Sequence, residues 1–114
     1  METTDAELVK RCLSDDHAAW EMIVRRYHQR LYNLAYRFTG RFEESEDLTQ
    51  EIFLKVFRSL NSYKPGSGAL ITWMVQVGRN HLIDQYRKYK TQRMHTDSLD
   101  AGHDDPSQIG RAHV

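Results

Sequence analysis

The most regular pattern in this chain is an apolar stripe between residues 20 and 38. Its members recur at three- and four-residue intervals, the spacing that places side chains on one face of an α-helix. They are Trp20, Ile23, Val24, Tyr27, Leu31, Leu34, Ala35 and Phe38. A long helix with one apolar face buries that face against other elements. Because the chain shows no strand-like alternation of useful length and no internal repeat, the sequence predicts an all-α fold.

Shorter helical segments surround this stripe. Residues 5–13 form an amphipathic candidate helix, and residues 14–16 supply capping groups for the second helix. Gly40 suits the left-handed position that ends the second helix. A third helix is expected from near Ser45, and a fourth is expected to open at residues 67–69. The sequence therefore predicts a compact bundle of about four helices.

The third predicted helix carries two separate stripes. Its buried side is expected to contain Leu48, Ile52, Phe53, Val56, Phe57 and Leu60. A second face holds one leucine among polar residues, and we call these five residues the docking stripe: Asp47, Gln50, Glu51, Leu54 and Arg58. Singly exposed leucines are normal, so this face can be an ordinary charged surface. The functional alternative is a docking face for a partner helix.

Composition limits the size and compartment of the protein. The 114 residues, 39% of them hydrophobic, suffice for one modest core. A single cysteine, Cys12, cannot form an internal disulfide, which fits a reducing cytoplasm. No apolar run reaches the length of a membrane span, and the acidic N-terminus is unlike a signal peptide. We therefore expect a cytoplasmic protein without membrane insertion.

Patterns typical of catalysis and metal binding are missing. The six histidines lack the spacing of a helical zinc motif. His81 and Asp84 lie three residues apart, which favours a structural hydrogen bond over metal ligation. The chain has no Walker motif and no nucleophile elbow. The sequence predicts no enzyme activity, no metal site and no cofactor.

Basic character is concentrated in residues 71–93, where five basic residues and one acid give a net charge of +4. Wound as a helix, this segment has one polar face, interrupted by the apolar Ile83. We call the polar residues the basic face: Thr72, Gln76, Arg79, Asn80, Arg87 and Lys90. A solvated amphipathic helix is the simplest interpretation. The functional interpretation is a nucleic-acid-binding surface. Its arginine and lysine side chains would contact phosphates, and its amide side chains are suited to base edges.

A glycine-containing loop precedes this helix. Tyr63 and Trp73 bracket residues 64–68, and the two glycines allow close approach of the backbone. Aromatic faces can stack on bases that have left a duplex, so the loop is a candidate pocket for a flipped base. Trp73 lies at the border of the apolar face and is equally suited to the core.

Two stretches, DLTQEIFLKVFRSLNSY and TWMVQVGRNHLIDQYRK, resemble region 2 of the extracytoplasmic-function (ECF) group of bacterial sigma factors. A third, YNLAYRFTGRFEESEDLTQE, is similar to the family's region 2.1 running into 2.2. Together they cover roughly residues 5–93. We accordingly assign residues 1–93 to the domain and residues 94–114 to an acidic linker.

The resemblance implies a transcription initiation factor that does not itself catalyse a reaction. The docking stripe would bind the coiled coil of the β′ clamp in the RNA polymerase core. The loop and fourth helix would capture the non-template single strand of the promoter minus-ten element. It also implies an inhibitor, an anti-sigma factor. The residues implied in DNA binding are Asn61, Tyr63, Lys64, Ser67, Gly68, Trp73, Gln76, Arg79, Asn80, Arg87 and Lys88.

The chain departs from the family pattern at a few positions. Leu70 and Ile71 stand where an aromatic residue is frequent, and Val75 replaces another, which reduces stacking capacity. Asp105 and Pro106 are typical of a helix start. We therefore expect a fragment whose second DNA-binding domain, region 4, is missing.

Two other functions compete with a sigma factor domain. A sigma-like decoy would bind an anti-sigma factor without touching DNA, but it has no need of the basic face or the loop. An unrelated helix-turn-helix repressor is disfavoured, because no short turn joins two helices before the basic one.

Overall fold

The computed structural model describes residues 3–99, with side chains described for residues 3–92. Within that range every regular element is a helix, which confirms the predicted all-α fold. Two 3₁₀ turns occupy the connection between the third and fourth helices, at Leu60–Ser62 and Pro65–Ser67. The helices are α1, Asp5–Leu13; α2, His17–Thr39; α3, Phe42–Arg58; and α4, Leu70–Leu99.

The ends of α2 follow the sequence prediction. The Asp16 carboxylate accepts hydrogen bonds from the backbone N–H groups of Ala18 and Ala19, at 3.0 and 3.3 Å. These are donors that the first turn of a helix leaves unsatisfied. The Arg11 guanidinium also donates to this carboxylate, and together these bonds hold the pKa of Asp16 below its ordinary value. Gly40 ends the helix with a φ of 69°, a conformation that glycine adopts without strain.

The predicted start of α3 was wrong. The helix begins at Phe42, and Ser45 lies one turn inside it instead of capping it. The Ser45 hydroxyl is buried, donating to the Arg41 carbonyl at 2.6 Å and lying 2.7 Å from the Thr39 hydroxyl. A serine that bonds back to the preceding turn can sit inside a helix. It therefore ties α3 to the end of α2.

The core lies where α2, α3 and α4 pack together, with α1 against α2. Its fully buried side chains include Leu8, Ile23, Leu31, Ile52, Val56 and Met74. Gly78 is buried where α4 packs against α2 and α3. A Cβ atom there would be 3.1 Å from the Leu34 side chain and 3.4 Å from Ile52. The missing side chain therefore lets α4 approach α2 and α3 closely.

A polar cluster attaches α1 to α2. The Tyr27 hydroxyl donates a short hydrogen bond to the Asp5 carboxylate, and Arg26 forms an ion pair with the same carboxylate at 2.7 Å. Burial, followed by the bond to Asp5, raises the pKa of Tyr27 to about 12. Since α1 also contacts the first 3₁₀ turn, this cluster supports the connection that leads into α4.

Two apolar residues are more exposed than the sequence predicted. Phe57 was expected in the core but is 44% exposed, because it lies at the edge of the buried side of α3. Its ring packs against Trp20. Helical spacing predicts that Tyr89 lies mostly on the side of α4 opposite the basic face, but it is also exposed. Leu54 and Ile83 are exposed as their stripes predicted. The predicted boundary at residue 93 falls within α4. The predicted linker beyond residue 99, including Asp105 and Pro106, lies outside the described residues.

Candidate nucleic-acid interface

The outer surface of α4 is the basic face predicted from the sequence. All six of its residues are exposed, whereas Leu70, Met74 and Leu82 on the opposite side are buried. Ile83 interrupts the basic face with 45% of its surface exposed. Lys88 is also exposed but lies off this face by helical spacing. Arginine and lysine side chains so arranged can neutralise a row of phosphates.

Two amides on the basic face contact each other. The Gln76 side-chain nitrogen donates to the Asn80 side-chain oxygen at 3.2 Å. Because this bond uses the Asn80 oxygen, the Asn80 amide nitrogen retains its two donors for a base edge. The bond spans one helical turn and orients both amides. A prepositioned amide of this kind is suited to reading the hydrogen-bonding edge of a base.

Tyr63 closes the loop from the inside. Its hydroxyl donates to the Gly68 carbonyl at 2.5 Å, and its ring lies 5.4 Å from that of Trp73. Only 8% of Tyr63 is exposed, and burial with the Asp5 charge raises its pKa. Gly68 has a φ of 143°, which explains why glycine is required there. Tyr63 therefore holds the loop in shape and does not offer an open ring face for stacking.

The other loop residues implied by the resemblance are on the surface. Asn61, Lys64, Ser67 and Gly68 are exposed, and the Ser67 hydroxyl donates to the Lys64 carbonyl at 2.7 Å. Trp73 is half-buried and packs against the core while retaining accessible surface. Trp73 can therefore contribute to the core and still offer ring surface for stacking on a base, the two interpretations that the sequence left open.

An open cleft of about 420 Å³ lies between the C-terminal part of α3 and the middle of α4. We call it the α3–α4 cleft. It is lined by Lys55, Arg58, Ser59, Val77, Asn80 and His81. Two of these, Arg58 and Asn80, were predicted as site residues, Arg58 for polymerase docking. The loop residues Asn61, Tyr63 and Ser67 do not line it.

Sequence reasoning missed three polar residues of the cleft: Lys55, Ser59 and His81. Lys55 lies in the last turn of α3, Ser59 follows the end of this helix one turn later, and both line the cleft opposite α4. Their spacing in the sequence carried a signal for a shared face, but nothing in it indicated that Asn80 would lie opposite. That juxtaposition depends on the close helix approach at Gly78.

His81 pairs across the helices, not along its own. Its Nε2 atom lies 2.7 Å from Glu51 Oε1, so Glu51 replaces the expected partner Asp84. The His81 side chain is 6% exposed, whereas that of Glu51 is 50% exposed. Its buried Nδ1 atom has no hydrogen-bond partner among the described residues. The pair therefore joins a residue of the docking stripe to the cleft.

The docking stripe forms a continuous surface on α3. All five residues are exposed, including Leu54 at 51%. Phe57 lies beside Leu54 on the helix and extends the apolar part of this surface. An exposed apolar centre surrounded by charges is typical of a protein interface.

In the part of the chain that the structure describes, no three His, Cys, Asp or Glu side chains are grouped so as to hold a metal ion. None of the helices there combines the length and hydropathy needed to cross a bilayer.

Comparison with protein families identifies the type of domain that carries these surfaces. The family model for sigma-70 region 2 matches residues 23–92, which include α3, the loop and most of α4. The chain therefore belongs to the sigma-70 family through its region 2. Its curated relatives place it more narrowly, in the ECF group.

Three relatives illustrate this similarity. The ECF RNA polymerase sigma factor SigE of Mycolicibacterium smegmatis is 36% identical over 80% of this chain and 37% of its own length. RNA polymerase sigma-H factor of Pseudomonas aeruginosa is 31% identical over 74% of this chain and 45% of its own. ECF RNA polymerase sigma factor SigW of Bacillus subtilis is 31% identical over 79% and 48%. The chain spans less than half the length of each.

Proposed function

We propose that this domain docks on the RNA polymerase core through the docking stripe and captures a flipped base of the minus-ten non-template strand in the α3–α4 cleft. The observation that carries this proposal is the cleft itself. Its opening lies beside the Asn80 amide and the basic face, within the segment that matches sigma-70 region 2. An anti-sigma factor remains a proposed partner.

The chemistry of the cleft suits a nucleobase. Asn80 and Ser59 supply hydrogen-bonding groups, Lys55 and Arg58 supply positive charge, and Val77 supplies an apolar wall. Extruding a base costs a few kcal/mol. Hydrogen bonds to the base edge and contacts with flanking phosphates offset that cost. The domain would thus favour DNA that is already melted.

Phosphate contacts would come from the rest of α4. Arg79 and Arg87 are exposed on the same face as Asn80, while Lys64 is exposed in the loop. Such contacts bind without sequence preference and weaken as salt concentration rises. Specificity would then come from the cleft, and positioning from the basic face.

The test is a fluorescence-anisotropy selection of the full chain against a randomised single-stranded pool at fixed, moderate salt. We expect a short motif to be enriched and the matched duplex to bind more weakly. Asn80→Ala should weaken binding of the selected oligonucleotide by about 1–3 kcal/mol, because its amide pairs with the base edge. Asn33→Ala is the matched control, since Asn33 is an exposed amide of α2.

The outcomes separate the candidate functions. Equal losses in Asn80→Ala and Asn33→Ala would reject the cleft as the reading site. Binding that depends on salt but selects no motif would reject base capture and leave polymerase docking. The absence of any DNA binding would favour the decoy that binds an anti-sigma factor.

A further inference from the structure

A continuous row of aromatic rings runs along the line where α2 packs on α3. Each ring has a neighbour in the row whose centroid lies 5.0–6.3 Å away. We call these residues the aromatic row: Trp20, His28, Tyr32, Tyr36, Phe42, Phe53 and Phe57. We propose that this row and the adjoining docking stripe pair with the same surface of a second copy of the chain, in an antiparallel, two-fold arrangement.

Much of the aromatic row is uncovered. Phe42 at one end is 64% exposed, and Phe57 at the other end is also exposed. Leu54 of the docking stripe continues this apolar surface. Single exposed apolar residues are normal, but contiguous ones mark an interaction surface. Because aromatic rings bury a large area, they dominate the energetics of interfaces. The row therefore has the properties of an interface whose partner is a further chain.

The charges on α3 identify that partner. Residues 42–50 carry four acids and no base, whereas residues 51–58 carry two bases and one acid. A partner of a single charge sign would meet like charge at one end of this helix. A second copy in antiparallel orientation instead places the acidic half of each α3 against the basic half of the other. The surface is therefore complementary to itself.

Asp47 and Arg58 set the register of this pairing. Both are exposed members of the docking stripe, near opposite ends of α3, and neither forms an ion pair within the described residues. The two-fold arrangement brings Asp47 of each copy to Arg58 of the other. Exposed ion pairs contribute little affinity, but complementary charges fix the orientation of two partners. Affinity would come from the aromatic row and Leu54.

The size of the surface predicts a weak dimer. The 17 residues of α3 span about 25 Å, so the paired surface falls at the low end of specific interfaces. The dimer should consequently form as the concentration of the chain rises. Since the docking stripe lies within the paired surface, a second copy and the polymerase core would exclude each other. That consequence rests on the proposed function, whereas the dimer itself does not.

Sedimentation equilibrium of the full chain tests the dimer without core or DNA. A concentration range from about 1 μM to about 1 mM covers weak and intermediate affinities. We expect the average mass to rise from 13.5 kDa towards twice that value. A mass that stays at 13.5 kDa over the whole range rejects the proposal.

A charge exchange tests the antiparallel orientation. Asp47→Arg and Arg58→Glu each place like charges opposite one another, and each should weaken dimerisation about 10-fold or more. The double variant carrying both substitutions restores opposite charges and should dimerise nearly as well as the parent. Both positions are exposed, and circular dichroism checks that the variants are folded. A double variant as weak as the single ones rejects the antiparallel pairing.

An apolar substitution tests the aromatic row. Phe42→Ser removes an exposed ring at one end of the row and should also weaken dimerisation. Ile83→Ser is the matched control, because Ile83 is an exposed apolar residue on α4. It should dimerise as the parent does. Equal weakening in both variants, or none in Phe42→Ser, would show that a different surface forms the dimer; the charge exchange decides the question if Phe42→Ser is not folded.

Polymerase core tests the shared surface. At concentrations where the parent chain dimerises, complexes between core and the chain labelled at its N-terminus should contain one copy of the chain. Two copies for each core would reject pairing through the docking stripe. If the chain dimerises as expected but does not bind core at all, polymerase docking is rejected and the dimer stands.

Discussion

The docking stripe and the α3–α4 cleft differ in how the chain builds them. The stripe lies on one helix, so its five side chains share a face whenever α3 is formed. The cleft has one wall on α3 and the other on α4, residues 55–59 and 77–81. The shape of the cleft therefore depends on how the two helices pack. The shape of the docking stripe does not depend on that packing.

The docking stripe and the cleft are connected at two residues, Arg58 and Glu51. Arg58 belongs to the docking stripe and also lines the cleft, while Glu51 reaches the cleft through His81. Leu54 lies between them on the outer side of α3, 51% exposed and away from the cleft. Substitutions along a single helix can consequently separate docking from base capture.

The largest effect is expected from Leu54→Asp. Placing a charge at the apolar centre of the docking stripe should weaken core binding by about 2 kcal/mol or more, the level of an interface hot spot. Binding of the selected single strand should be unchanged, because Leu54 does not line the cleft. Titration of the labelled chain with core and with oligonucleotide measures the two affinities.

Arg58→Glu is the matched comparison for that substitution. It reverses a charge on both surfaces, so core affinity and oligonucleotide affinity should fall together. If it affects core binding alone, Arg58 takes no part in the cleft. If Leu54→Asp also lowers oligonucleotide binding while circular dichroism shows a folded chain, the two surfaces are not separable.

A smaller effect is expected at the attachment of α1, which lies on the loop side of the molecule. Tyr27→Phe removes a hydrogen bond to the charged Asp5 and should lower the free energy of unfolding at neutral pH by about 1.5 kcal/mol. The pKa of Tyr27 is raised from 10.0 to about 12, so the folded state favours the neutral phenol. This stabilisation is fully present below pH 10 and is lost as the pH rises towards 12.

Urea denaturation between pH 8 and pH 12 measures this contribution. The parent chain should lose stability more steeply across that window than Tyr27→Phe, although both contain the other tyrosines. Parallel slopes would contradict the role of the bond between Tyr27 and Asp5. Core affinity at neutral pH should be the same for both chains, because α1 supports the loop and not the docking stripe.

The parts of the molecule that follow helical periodicity could be predicted from the sequence. The stripe from Trp20 to Phe38 gave the buried side of α2, and the exposure of Leu54 and Ile83 followed from their faces. Each of these depends only on the angle between successive side chains. The resemblance in the α3 and α4 segments gave the family, which the region 2 match confirms.

The parts that depend on packing between distant segments could not be predicted. Serine is a residue type that often caps helices, but the Ser45 hydroxyl makes a tertiary contact with the Thr39 hydroxyl. His81 had a polar neighbour at helical spacing, yet its partner lies 30 residues away on α3. Phe57 stays exposed because no further element covers that side within the described residues. Local pattern carries no information about such pairings.

The smallest effect is expected at Tyr63, in the loop that connects α3 to α4. Tyr63→Phe retains the buried ring beside Trp73 and removes only the hydroxyl that donates to the Gly68 carbonyl. A neutral hydrogen bond contributes about 1 kcal/mol, so oligonucleotide affinity should fall about 5-fold as the loop loosens. Core affinity should not change. Anisotropy titrations with both ligands test this difference.

Tyr36→Phe is the control, because Tyr36 is an exposed tyrosine at the far end of α2. Its loss of a hydroxyl should leave both affinities unaltered. If Tyr63→Phe also behaves as the parent, the loop does not contribute to capture and the cleft alone reads the base. If Tyr63→Phe weakens core binding as well, the loop supports the docking stripe through α3, and the contrast between a one-helix surface and a two-helix surface no longer holds.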